Sequence, residues 1–105
     1  LPTWDKPSFA CLASRIPYGE PITKEKLAMI EEAELFLMTL GFKQLRVRCH
    51  DKLARIEVPE EDIPVLLNSE MRKKIADAFA KIGFTYTAID IKGYRTGSLN
   101  EALKQ

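Results

Sequence analysis

The chain has 105 residues, of which 46% are hydrophobic and 30% charged, with a formal net charge of +1; this is the make-up of one soluble domain able to bury its own core. Near-neutral charge excludes a broad electropositive footprint, so no nucleic-acid partner is expected and any basic site must be local. With no apolar run of spanning length, no signal-peptide pattern and two widely separated cysteines, Cys11 and Cys49, no membrane partner is expected and a reduced, cytoplasmic setting is.

The chain opens Leu1-Pro2-Thr3-Trp4 without Met and reads as a piece whose upstream part is left out. Four of the six prolines (Pro2, Pro7, Pro17 and Pro21) fall in the first 22 residues. Proline fixes its own φ and biases the residue before it toward extended geometry. Residues 1–22 are therefore expected to form an irregular arm, and residues 23–105 a compact domain. Thr23 is placed to cap a helix running to Leu40, with Glu25 in its first turn and Gly41 as its stop. A strand follows from Gln44 to His50, then a tight connection at Asp51-Lys52 and a second strand from Leu53 to Val58. Pro59 ends that strand, and Glu60 to Leu67 add a short helix. Asn68 or Ser69 caps a further helix that ends at Ile82-Gly83. A third strand is expected over Phe84 to Ile91, then a glycine-containing loop over Gly93 to Asn100. The order α-β-β-(α)-α-β predicts an α+β fold: a small three-stranded, largely antiparallel sheet with helices packed on one face.

Three positions stand out. In the first strand Leu45, Val47 and Cys49 alternate with Arg46, Arg48 and His50, which puts apolar and cationic groups on opposite faces. A two-residue hairpin at Asp51-Lys52 pairs His50 with Leu53, Arg48 with Arg55 and Arg46 with Glu57. The apolar residues then coincide as Cys49 with Ala54, Val47 with Ile56 and Leu45 with Val58. Two opposed arginines are unfavourable without a compensating anion, and the guanidinium fork suits phosphate or carboxylate. The plainer alternative is a solvated face with a weak Arg46–Glu57 surface pair. Second, Glu34 points between Ile30 and Met38 inside the apolar arc of the first helix, at about 100° per residue. A carboxylate there must be paired, protonated or at the edge of a site, unless it reaches around the helix to water. Third, Cys11 lies among small and cationic neighbours, including Arg15, that would favour the thiolate; the alternative is a small buried hydrophobe. Cys49, in step with Leu45 and Val47, fits that second description.

Weaker candidates remain. His50 is the only histidine, so no histidine-based metal site can be built within the chain. Gly93 to Ser98, with Arg95, forms either a backbone anion nest or a plain turn. Trp4 and Phe9 either cover a ligand or anchor the arm. No Ser-His-Asp set, Walker lysine motif or GxGxxG occurs.

Taken together, Trp4-Asp5-Lys6-Pro7, Ala10-Cys11-Leu12-Ala13-Ser14-Arg15, Pro17-Tyr18-Gly19-Glu20, Ile30-Glu31-Glu32-Ala33-Glu34, Leu45-Arg46-Val47-Arg48, Ala54-Arg55-Ile56-Glu57-Val58 and Gly93-Tyr94-Arg95-Thr96-Gly97-Ser98-Leu99-Asn100 resemble the linker and second domain of the LarE family. These are ATP-dependent sacrificial sulfur transferases similar to PP-loop ATP pyrophosphatases. The resemblance implies a C-terminal domain whose N-terminal ATP-binding PP-loop domain is absent, since no SGGxDS-type loop occurs here. It implies ATP and Mg2+ as cofactors, ATP being bound mainly by that missing domain. It further implies a pyridinium mononucleotide as substrate, a thiocarboxylated precursor of the nickel-pincer nucleotide as product, and a homo-oligomeric full-length protein.

Residue by residue, the resemblance places Cys11 as the sacrificial sulfur donor, left as dehydroalanine. Arg46 and Arg48 would bind substrate phosphate, with Arg55 and Arg95 beside them; Ser14, Arg15 and Glu57 are secondary contacts; Glu34 belongs to an acidic, metal-binding part. Relatives that carry an iron–sulfur cluster use three clustered cysteines, a pattern disfavoured here. The isolated domain is expected to be inactive. The alternative is a non-catalytic nucleotide-binding or oligomerisation module of another PP-loop enzyme, such as a thiolation enzyme.

Overall fold

The structure is a computed structural model and describes residues 13–94. Helix α1, Lys24–Thr39, starts where Thr23 accepts a hydrogen bond from the Lys26 amide at 3.1 Å. Its apolar stripe of Leu27, Ile30, Ala33 and Leu37 is buried. Strands β1 (Arg46–His50) and β2 (Leu53–Glu57) form an antiparallel hairpin. Their register is the one read from the alternation, from Arg46 opposite Glu57 to His50 opposite Leu53. Asp51 turns the hairpin at φ 57°, a left-handed conformation that aspartate tolerates better than most side chains.

A 3-10 turn, Glu60–Asp62, leads into the one-turn helix α2, Ile63–Leu66, and then α3, Ser69–Ile82. Asn68 caps α3 by accepting from the amides of Glu70 and Met71, and Gly83 closes it at φ 131°. Strand β3, Tyr86–Ile89, pairs in parallel with the far side of β2, giving the order β1-β2-β3. The α+β class and the single helical face are as expected, with one antiparallel and one parallel pair. The helices lie over Val47, Cys49, Ala54 and Ile56, and Phe79 of α3 packs against Phe84 with ring centroids 5.7 Å apart.

The strands are shorter than the apolar runs predict, for identifiable reasons. The Val58 carbonyl accepts from the Tyr94 amide at 2.7 Å, outside the β1–β2 ladder. The Phe84 amide turns back to the Phe79 carbonyl and so belongs to the end of α3. Asp90 leaves β3 by accepting from the Lys92 amide, and its carbonyl accepts from Gly93. Gly93 sits at φ 85°, where a Cβ would stand 3.0 Å from the Val58 carbonyl oxygen; only glycine fits that approach without strain. No helix among the described residues is long and apolar enough to cross a membrane.

Candidate functional site

Alternation along the strands places Arg46, Arg48, His50, Arg55 and Glu57 on the sheet face opposite the helices. The parallel register adds Asp90 as the next residue in line with Glu57. The opposed arginines are compensated from within the chain. Glu57, fully buried, lies between them, with Oε1 3.3 Å from Arg48 Nη2 and Oε2 accepting from Arg55 Nη1 at 3.0 Å. Arg55 also donates to Asp90 through Nη1 and to His50 Nε2 through Nε, the latter at 3.2 Å. Accepting that bond leaves the proton of neutral His50 on Nδ1. Burial first, and the Arg55 charge second, hold its pKa below the ordinary 6.5.

Arg46 does not pair with Glu57, which corrects the surface-pair alternative. Its guanidinium lies over the Tyr94 ring, 5.2 Å from the centroid, and donates to the Leu45 carbonyl. Glu57 is instead held by Arg48 and Arg55, the next cross-strand pair on this face. Arg48 keeps a donor in reserve despite its burial. It is 6% exposed, Nη1 reaches the Ser14 carbonyl at 3.3 Å, and Nε has no hydrogen-bond partner among the described residues. Among the described residues, three guanidinium charges on this face stand against two carboxylates. A half-buried, guanidinium-rich face is suited to an anion of matching shape.

A second cluster follows the outer edge of β1. In an antiparallel pair the amides of alternate residues point away from the partner strand, here those of Val47 and Cys49. Val47 donates to Glu34 Oε2 at 2.9 Å, Cys49 to the Arg15 carbonyl at 2.8 Å, and the turn residue Asp51 to Glu20 Oε1 at 2.8 Å. Arg15 grips Glu34 with both ends of its fork, at 2.9 and 3.2 Å, and the two side chains are nearly dry. The out-of-place carboxylate of α1 is thus a paired one. It ties helix, strand and arm together.

Ser14 and Arg15 accordingly sit at this edge, next to the arginine face. Cys11 and Arg95 lie outside the described residues. Cys49 is fully buried on the helix face, its Sγ donating to the Asp51 carbonyl at 3.2 Å, and burial raises its pKa. Sequence reasoning missed Asp90, because its position beside Arg55 depends on the parallel crossover of β3. No group of three His, Cys, Asp or Glu side chains able to hold a metal occurs among the described residues. With both oxygens of Glu34 engaged, and Glu57 and Asp90 bound to arginines, these residues do not fit Mg2+.

No protein-family model matches the chain. It is 46% identical over 103 residues to an uncharacterised protein of Synechocystis, covering 98% of this chain and 38% of that protein. It is 35% identical over 105 residues to pyridinium-3,5-bisthiocarboxylic acid mononucleotide synthase of Lactiplantibacillus plantarum, covering 98% of this chain and 37% of the synthase. A third relative, an uncharacterised protein of Methanocaldococcus jannaschii, is 33% identical over 90 residues, or 86% of this chain and 34% of that protein. The chain thus spans little more than a third of the length of the relatives it matches.

Proposed function

We propose that the chain is the substrate-binding and sulfur-donor part of an ATP-dependent sacrificial sulfur transferase of the LarE type. The observation that carries this reading is its similarity, along 98% of its length, to a protein named for making a thiocarboxylated pyridinium mononucleotide. The geometry supports it through Arg48, a nearly buried guanidinium with donors in reserve. Arg55 is held by two carboxylates, Glu57 and Asp90, whereas Arg48 meets one and Arg46 none among the described residues, so Arg48, with Arg46 beside it, is the better anchor for a substrate phosphate.

In this reading a PP-loop domain outside this chain holds ATP, whose adenylyl group passes to the substrate carboxylate with release of pyrophosphate. The Cys11 thiolate attacks the acyl carbon, the carbon–oxygen bond to AMP breaks, and a thioester forms. A base removes the Cys11 α-proton. The electron pair then expels sulfur from Cβ, leaving dehydroalanine in the protein and a thiocarboxylate on the nucleotide. Cys11 precedes by only three positions Ser14, whose carbonyl Arg48 binds.

Intact-mass analysis of the complete protein after incubation with ATP, Mg2+ and the pyridinium mononucleotide tests the proposal. The expected result is loss of the elements of hydrogen sulfide, mapped to residue 11. Product formed with no change in protein mass, or full transfer by Cys11→Ala, would overturn it.

A further inference from the structure

The two edges of the sheet are finished differently. On β1 every outward amide has an acceptor in Glu34, Arg15 or Glu20. On β3 the amides of Tyr86 and Asp90 bond to the carbonyls of Lys52 and Ile56. Those of Thr87 and Ile89 therefore point away from β2, and neither has an acceptor among the described residues. The strand sequence Tyr-Thr-Ala-Ile carries none of the charges, prolines or bulges that usually close an edge.

Beside this open edge, a cleft of about 230 Å³ runs between β3 and α3. Ile56, Leu66 and Ile75 form its apolar floor, Thr87 and Ile89 line the strand side, and Arg72 stands on the helix side. Arg72 is exposed, makes no ion pair among the described residues, and is followed by Lys73 and Lys74. The cleft lies on the helix-bearing face of the sheet, away from the arginine cluster.

We propose that the β3–α3 cleft is a docking site for an extended peptide that adds a strand to β3 and carries an apolar residue and a carboxylate two positions apart. Outward amides two residues apart match the repeat of carbonyls along an extended chain, at about 6.8 Å. Every second side chain of the added strand falls on the helix face, so one enters the apolar floor and the next reaches Arg72. A carboxylate there gains a charge-assisted hydrogen bond to a guanidinium that has no other ion partner among the described residues. Charge argues against a second copy of β3 as the occupant. Symmetric pairing would bring two cationic α3 segments side by side, and β3 itself offers no carboxylate.

The test is a titration of the 105-residue chain with the capped peptide Thr-Leu-Thr-Glu-Thr, followed by amide NMR. The Thr87 and Ile89 amides should shift on saturation. A peptide with Lys in place of Glu should bind at least about tenfold more weakly, and Arg72→Glu should reverse that preference. Equal binding of the two peptides, or no shift of these amides at millimolar peptide, overturns the proposal. So does a concentration-dependent dimer whose interface maps to β3 without peptide.

Discussion

Replacing Glu34 by Leu removes one half of a buried, two-pronged ion pair and the acceptor of the Val47 amide. Leaving a buried charge without its partner costs about 3–5 kcal/mol, and an orphaned buried amide about 1–3 kcal/mol. Arg15 relaxes partly toward water in the variant, so the two losses overlap and the net expectation is about 4 kcal/mol. That is a large share of the roughly 5–15 kcal/mol that holds a domain folded. It corresponds to a fall in melting temperature on the order of 20 °C.

The informative comparison is the double variant Arg15→Met, Glu34→Leu. With both charges gone the desolvation penalty vanishes as well, and an apolar pair of similar volume is near neutral. Of the groups that bonded to Glu34, the Val47 amide remains orphaned, and the part-buried Ser14 Oγ loses the Arg15 donor, so the double variant should lose about 2 kcal/mol, less than Glu34→Leu alone. Urea unfolding of the wild type, both single variants and the double variant measures this directly. A double variant as unstable as Glu34→Leu, or a single loss below about 1 kcal/mol, would refute a role for Glu34 as a buried tie.

Gly93→Ala forces a left-handed residue and a Cβ 3.0 Å from the Val58 carbonyl; a loss of about 1–2 kcal/mol is expected in the same assay. His50 has its folded pKa held below 6.5, so the unfolded chain binds its proton more readily. Its contribution is present above pH 6.5 and is lost as pH falls through the lower folded value. A plot of stability against pH should fall between pH 6.5 and that lower value, and His50→Gln should flatten it there. The Cys49 thiol, buried and raised in pKa, should resist iodoacetamide in the native chain at about pH 8 and react on unfolding in urea; native-state labelling at residue 49 contradicts its placement.

Most of the scaffold was legible because its signals are local. The Thr23 and Asn68 caps, the hairpin register and the core placement of Cys49 follow from residues only a few positions apart. The opposition of Arg48 and Arg55 was equally readable, and with it the requirement for an anion. That the anion is Glu57 was not. Its Cα partner is Arg46, and its reach diagonally to Arg48 and along its own strand to Arg55 depends on side-chain direction. Glu34 was visibly out of place, yet its partner lies 19 residues away, in a segment that proline content marks as irregular. Asp90 comes beside Arg55 only because β3 returns parallel to β2, a choice made by the α2–α3 crossover and by no residue pattern in β3. Cys11 and Arg95, on which the chemical reading leans, lie outside the described residues.

The stitching of residues 15 and 20 to β1 makes the start of α1 a poor place to shorten this chain. A version beginning at Thr23 would strip the acceptors from the Cys49 and Asp51 amides and leave Glu34 without its cation. The exposed strand would then be a ready template for other chains, and aggregation during expression would be the visible symptom. For this domain residues 15 and 20 are part of what closes the β1 edge.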